Sequence, residues 1–175
     1  MGDFDGDSNS DLAIGHLVGN GTVYIIFGLS FVPWGSSIDL STYSNLTIIN
    51  GETSDTKFGG SIGNAGDVNR DGIDDLIAGA IYFSINGTVH NGKAYLFFGQ
   101  HKWYQQQIEL SSSSAHLALN FTEMTSSIGT EWIGYSVSGA GDVNKDGTDD
   151  FLVGAPAGDG PGVSGAGKVY VVFGQ

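Results

Sequence analysis

The chain's most regular feature is an apolar run that closes on Phe-Gly. It occurs three times, as Val23-Tyr24-Ile25-Ile26-Phe27-Gly28, Ala94-Tyr95-Leu96-Phe97-Phe98-Gly99 and Val169-Tyr170-Val171-Val172-Phe173-Gly174. Unbroken apolar runs of this length, rich in β-branched and aromatic residues, suit strands covered on both faces by neighbouring sheets. Other strand-like segments fall around them. First strands are expected at about 58–63 and 133–138, and second strands at Leu76–Ala80 and Phe151–Ala155. Gly-rich hairpins then lead to third strands at Lys93–Phe98 and Lys168–Phe173. Fourth strands are expected at Leu46–Asn50 and Ala118–Thr122, after the polar stretches Asp39–Ser44 and Glu109–Ser114.

Between the first and second strands the pattern breaks into a short polar loop, and the loop is repeated. Asp67-Val68-Asn69-Arg70-Asp71-Gly72-Ile73-Asp74-Asp75 matches Asp142-Val143-Asn144-Lys145-Asp146-Gly147-Thr148-Asp149-Asp150. A third copy opens the chain as Asp3-Phe4-Asp5-Gly6-Asp7-Ser8-Asn9-Ser10-Asp11. The loops start 64 and 75 residues apart. A unit of that size is too long for a helical hairpin repeat and fits one four-stranded propeller blade.

Composition supports an all-β reading, with 29 Gly and 3 Pro among 175 residues. The formal net charge is −13, and Arg70 is the only arginine, so a phosphate backbone would be repelled and nucleic acid is excluded as a partner. Twelve of the 19 acidic residues lie in the three loops, which turns a diffuse charge into a localised one. There is no cysteine, which removes disulfides, thiolate metal sites and a cysteine nucleophile. No apolar run reaches the length of a membrane span and no signal peptide opens the chain, so this segment is not expected to insert in a membrane. Met1 directly precedes Gly2-Asp3, inside a repeat unit, and the chain reads as a fragment.

Alternate residues of a tight loop turn their oxygens toward one centre. Counted from the first aspartate, positions 1, 3, 5 and 9 are Asp3, Asp5, Asp7 and Asp11; Asp67, Asn69, Asp71 and Asp75; and Asp142, Asn144, Asp146 and Asp150. With the position-7 carbonyls of Asn9, Ile73 and Thr148 they nearly fill the roughly six to eight oxygens that calcium takes. The donor set is hard and oxygen-only, which favours calcium over zinc or copper. Gly72 and Gly147 stand at position 6, where a sharp turn needs no Cβ, whereas the first copy has Ser8 there. Position 12 is Ile14, Ala78 or Val153 and carries no glutamate, so each ligand set closes at position 9. Asp, Asn and Gly also build ordinary Asx turns. Three copies in register, each crowding like charges that would repel without a cation, favour about three Ca2+ sites.

These loops, with Phe58-Gly59 ahead of one and Gly154-Ala155-Pro156 behind another, resemble the FG-GAP repeats of integrin alpha-subunit β-propellers. Ile133 in place of Phe, Ile81 in place of Pro, and Gly15-His16-Leu17 in place of Gly-Ala-Pro depart from the pattern. The resemblance implies a β-propeller fragment of about two complete four-stranded blades plus a partial one. Residues 1–57 would be a partial blade and its connection, 58–132 a second repeat and 133–175 a truncated third. It implies a non-catalytic, calcium-braced extracellular or cell-surface segment for adhesion, with a protein or glycan ligand. Ring closure would need the rest of the propeller or further copies. A propeller attached to a phospholipase-type or carbohydrate-acting enzyme, or a lectin-like module, is the alternative.

Other motif matches carry less. Gly160–Gly165 satisfies G-x-G-x-x-G, and Gly87–Lys93 and Gly162–Lys168 satisfy G-x-x-x-x-G-K. Ala94 and Val169 follow the lysines and begin strands, so these are hairpin turns. His16, His90, His101 and His116 show no ligand spacing, and no nucleophile elbow or catalytic residue is identified. Sequons at Asn20, Asn45, Asn86 and Asn120 fit a secreted glycoprotein.

Overall fold

The computed structural model describes residues 1–30, 37–53, 56–84, 90–101, 103, 106–111, 121–125 and 131–175, with 121–125 described by backbone alone. Every regular element among them is a strand. The order is β1 (Leu12–His16), β2 (Thr22–Ile26), β3 (Leu46–Asn50), β4 (Phe58–Gly66), β5 (Asp75–Ala80), β6 (Lys93–Phe97), β7 (Gln107–Glu109), β8 (Phe121–Thr125), β9 (Ser136–Gly141), β10 (Asp150–Ala155) and β11 (Lys168–Val172). They make three sheets, ordered β1-β2-β3-β7, β4-β5-β6-β8 and β11-β10-β9. The fold is an open β-propeller fragment with two sheets of four strands and one of three.

Each sheet is an antiparallel meander, with one exception. β7 joins the first sheet in parallel, Ile49 opposite Ile108. Part of this segment reads as a polar connection in the sequence, but Gln107-Ile108-Glu109-Leu110 alternates exposed and buried, which is the strand period. Ile108 and Trp103 are both buried in the core. β8 lies a few residues past the expected Ala118–Thr122; residues 118–120 lie outside the described part, as do His116 and the sequons at Asn86 and Asn120.

The middle sheet explains its own sequence. All residues of β5 and β6 are buried. Leu76, Ala78, Tyr95 and Phe97 pack toward the first sheet, with Phe4, Val23, Ile25, Phe27 and Phe58. Ile77, Ala94 and Leu96 pack toward the third, with Ile133, Phe151 and Val153. Alternation by two thus sends neighbouring apolar residues into two different cores, which is why the run is unbroken. Phe58 sits edge-on to Tyr95 at 5.3 Å and to Phe97 at 6.1 Å between ring centroids.

Adjacent sheets meet backbone to backbone. A Cβ on Gly79 would lie 2.0 Å from the carbonyl oxygen of Gly134, and one on Gly15 would lie 2.1 Å from that of Gly59. So a glycine inside a strand of one sheet (Gly15 in β1, Gly79 in β5) is the seat for a glycine near the start of the next sheet. At the strand ends away from the aspartate loops, Lys93 Nζ pairs with Glu52 at 2.6 Å, and Lys168 pairs with Glu131 at the same repeat position.

Candidate metal centre

Each aspartate loop runs from one strand region into the next: the first into β1, the second between β4 and β5, the third between β9 and β10. Their internal hydrogen bonds repeat. The position-1 carboxylate accepts two backbone N–H groups: Asp3 from Asp7 (3.0 Å) and Ser8 (2.8 Å), Asp67 from Asp71 (3.0 Å) and Gly72 (2.8 Å), Asp142 from Asp146 (3.0 Å) and Gly147 (2.8 Å). The position-3 side chains of Asp5, Asn69 and Asn144 accept the position-5 N–H at 3.1, 3.0 and 3.0 Å. Asp7, Asp71 and Asp146 accept the position-7 N–H of Asn9, Ile73 and Thr148 at 2.8, 2.9 and 2.9 Å.

Such a tight coil needs left-handed backbone twice. Positions 4 and 6 have positive φ in all copies: Gly6 and Ser8, Arg70 and Gly72, Lys145 and Gly147. The first loop therefore does not lack the turn glycine; it carries it at position 4 and puts Ser8 (φ 69°) at position 6. In every copy one of the two left-handed places is occupied by a residue that pays the Cβ strain.

The position-9 aspartates are buried. Each clasps the loop's own start and the end of its sheet. Asp11 accepts from Phe4 and Gly28, Asp75 from Val68 and Gly99, and Asp150 from Val143 and Gly174, at 2.7–3.0 Å. That gives the Phe-Gly closing each apolar run a purpose, since its glycine N–H reaches the loop. Burial pushes Asp11 up to about 6 and Asp75 up to about 7. The Gly28 and Phe4 N–H groups at Asp11, and those of Gly99 and Val68 at Asp75, oppose the rise, while the neighbouring loop carboxylates add to it. Asp146, on the surface, is held below the usual carboxylate range by the Asn144 amide first of all.

In the first loop carboxylate oxygens of Asp3, Asp5 and Asp11 lie within 4.8 Å of one another. Asp7 stands outside that group, with its oxygens taking hydrogen bonds from the N–H and Nδ2 of Asn9. Loops two and three carry an amide at position 3, and Asn69 and Asn144 each donate Nδ2 to the position-5 carboxylate (3.0 and 2.8 Å). An oxygen-only set with three or four acids per loop suits a hard divalent cation.

Residues outside the expected ligand sets also reach the loops. Asp74 and Asp149, at position 8, extend away from their own loops. Asp74 Oδ2 accepts the N–H of Asp3 (3.1 Å), and Asp149 Oδ2 accepts the N–H of Asp67 (3.1 Å), across the sheet boundary. Their own N–H groups donate to the carbonyls of Asp3 (3.0 Å) and Asp67 (3.3 Å). Gln100 and Gln175, just past the closing Phe-Gly, donate to the position-2 carbonyls of Phe4 (3.1 Å) and Val68 (2.9 Å). His101 Nδ1 lies 2.8 Å from the carbonyl of Asp5, and Arg70 reaches Asp146 at 3.2 Å.

The family model for the FG-GAP repeat matches residues 58–97 and 133–172, each match spanning the first three strands of a sheet and the loop between them. The chain belongs to the FG-GAP repeat family. Integrin alpha-5 of Xenopus laevis is 31% identical over 180 residues, which cover 100% of this chain and 15% of that protein. Integrin alpha-PS2 of Drosophila melanogaster is 31% identical over 183 residues, covering 99% and 11% respectively. Phosphatidylinositol-glycan-specific phospholipase D of Bos taurus is 34% identical over 110 residues, covering 62% of this chain and 12% of that protein. This FG-GAP chain thus spans about a seventh of the length of the curated relatives it matches, and it is an integrin-like propeller segment.

Proposed function

We propose that this FG-GAP segment is a non-catalytic recognition scaffold of a cell-surface or extracellular protein, serving adhesion, and that calcium braces its three loops. The observation that carries the reading is the repetition of one loop geometry three times, with the same hydrogen bonds at positions 1, 3, 5 and 9. The ligands assigned are Asp3, Asp5, Asp7 and Asp11; Asp67, Asn69, Asp71 and Asp75; Asp142, Asn144, Asp146 and Asp150; and the carbonyls of Asn9, Ile73 and Thr148. A bound cation supplies the positive charge that lets these crowded carboxylates share one centre. The loops lie at one end of the sheets, so they serve as braces and leave the opposite end for a protein or glycan ligand.

Calorimetric titration of the metal-free chain should reveal about three calcium ions, with affinities in the range of about 0.1–1 mM common for extracellular modules. The melting temperature should rise with calcium by mass action. No uptake at millimolar calcium overturns the reading.

The match to the bovine phospholipase supports a second version, in which the same scaffold adjoins an enzyme domain. A hydrolase domain encoded beside this segment would favour it, and a membrane-anchoring stalk would favour adhesion.

A further inference from the structure

We infer that Asp74 and Asp149 act as clamps on the cation loop of the preceding blade, so that loops one and two are each held in place by the blade that follows. This rests on the calcium reading proposed above. The position-8 carboxylate contributes to none of its own loop's repeated hydrogen bonds. It holds the N–H of the preceding loop's first candidate ligand, while its backbone N–H holds that residue's carbonyl. Asp3 and Asp67 are therefore gripped on both sides of the Cα that bears the carboxylate. Gln100 and Gln175 add the grip on the next residue.

The residue before position 1 leaves room for the same contact. Gly2, Gly66 and Gly141 stand just before position 1. A Cβ on Gly66 would lie 2.1 Å from Asp149 Oδ2, and one on Gly2 would lie 2.8 Å from Asp74 Oδ2. Around Gly141 there is nothing within 4 Å. At Gly66 the place that a side chain would fill is where Asp149 sits; at Gly2 Asp74 shares it with Asn64 Nδ2 (2.7 Å) and the Phe4 ring. At Gly66 and Gly141 the left-handed φ of 80° and 67° calls for glycine in any case.

Loop three supplies the contrast. Among the described residues nothing clamps Asp142 or Val143 in this way. Val143 is 52% exposed, where Val68 is 4% and Phe4 is 0%. Intraloop geometry is the same in loops two and three, so the clamp is a separate device laid over a finished loop.

Calcium calorimetry on single-site versions of the full chain tests this. Asp7→Ala with Asp146→Ala leaves loop two; Asp7→Ala with Asp71→Ala leaves loop three. Absence of binding in both defeats the calcium reading and the clamp with it. Where loop two binds, adding Asp149→Ala should weaken it about tenfold or more, as for residues that orient a metal ligand. The same substitution should leave loop three within about twofold, although Asp149 belongs to that loop in sequence. Asp149→Asn keeps an acceptor oxygen and should restore most of the affinity. Should Asp149→Ala abolish the strand signal in circular dichroism, the Asn chain decides. Equal affinity of loop two with and without the clamp, a loss confined to loop three, or an Asn chain as weak as the Ala chain would each overturn the inference.

Discussion

The second and third blades are built from nearly the same sequence, yet they sit in opposite surroundings. In the second, Ala94 and Leu96 are 3% and 5% exposed against the third blade. Their counterparts Val169 and Val171 are 68% and 47% exposed, and Phe173 is 52% exposed. The loops between first and second strands nevertheless keep the same hydrogen bonds. A blade thus forms its meander and its loop from local information, and gains the burial of its second face only from a neighbour. The largest test of this contrast is Leu96→Asp against Val171→Asp. The first places a carboxylate in a closed apolar interface and should cost about 4 kcal/mol or more in chemical denaturation. The second should change stability by no more than about 0.5 kcal/mol. Equal losses would mean that the open face is covered in solution.

The ion pairs at the other end of the strands extend the contrast. The Lys93 side chain is 5% exposed beside Glu52, and its Nζ lies over the rings of Phe83 and Tyr95. Lys168 holds Glu131 with its side chain 35% exposed, and that carboxylate raises the lysine above its ordinary range. Glu52→Ala leaves a buried cation without this carboxylate and should cost about 3 kcal/mol. Glu131→Ala should lower the melting temperature by less, because water reaches Lys168. A larger loss at Glu131 would show that its bond to the Tyr170 hydroxyl (3.1 Å) dominates the site.

Much of this was legible in the sequence, for a physical reason. A strand buried on both faces writes an unbroken apolar run, and β3, β5, β6 and β10 fall within a residue of where the pattern predicts them. The position-9 acids were legible as loop residues because the spacing repeats. Position 8 was not: Asp74 looks like one more loop acid, and the N–H it holds is 71 residues away in sequence. β7 was missed because its pairing partner, β3, lies in another repeat, leaving only the alternation around Ile108 as a sign. The open face had no signature at all, since Val169–Phe173 reads just as Ala94–Phe98 does.

A smaller effect separates the glycine seats. Gly79→Ala would press a methyl group onto the backbone carbonyl of Gly134, and would crowd the Ser61 hydroxyl that donates to the same oxygen (2.7 Å). Neither backbone can yield without parting the blades, so about 1–3 kcal/mol should be lost. At Gly154 the nearest atom is the Ser136 hydroxyl at 2.3 Å, a side chain that can rotate away. Gly154→Ala should therefore cost less than Gly79→Ala in the same denaturation assay, and the reverse order would place the tight approach elsewhere.

The smallest effect is the most specific, because it asks whether neighbouring loops touch productively. Arg70 and Lys145 occupy the same left-handed position with φ of 60° and 61°. Glycine at either place removes the Cβ strain, and the gain, reduced by the freer unfolded chain, should be about 0.5 kcal/mol for Lys145→Gly. Arg70 differs in one respect: its guanidinium bonds the carbonyl and carboxylate of Asp146 in the next loop. Arg70→Gly relieves the same strain and loses that bridge, so its gain in melting temperature should fall below that of Lys145→Gly. High salt should narrow the difference by screening the exposed pair. Equal gains at low salt would show that the bridge adds nothing, and would leave the contacts of Asp149 with Asp67 as the link between the two loops.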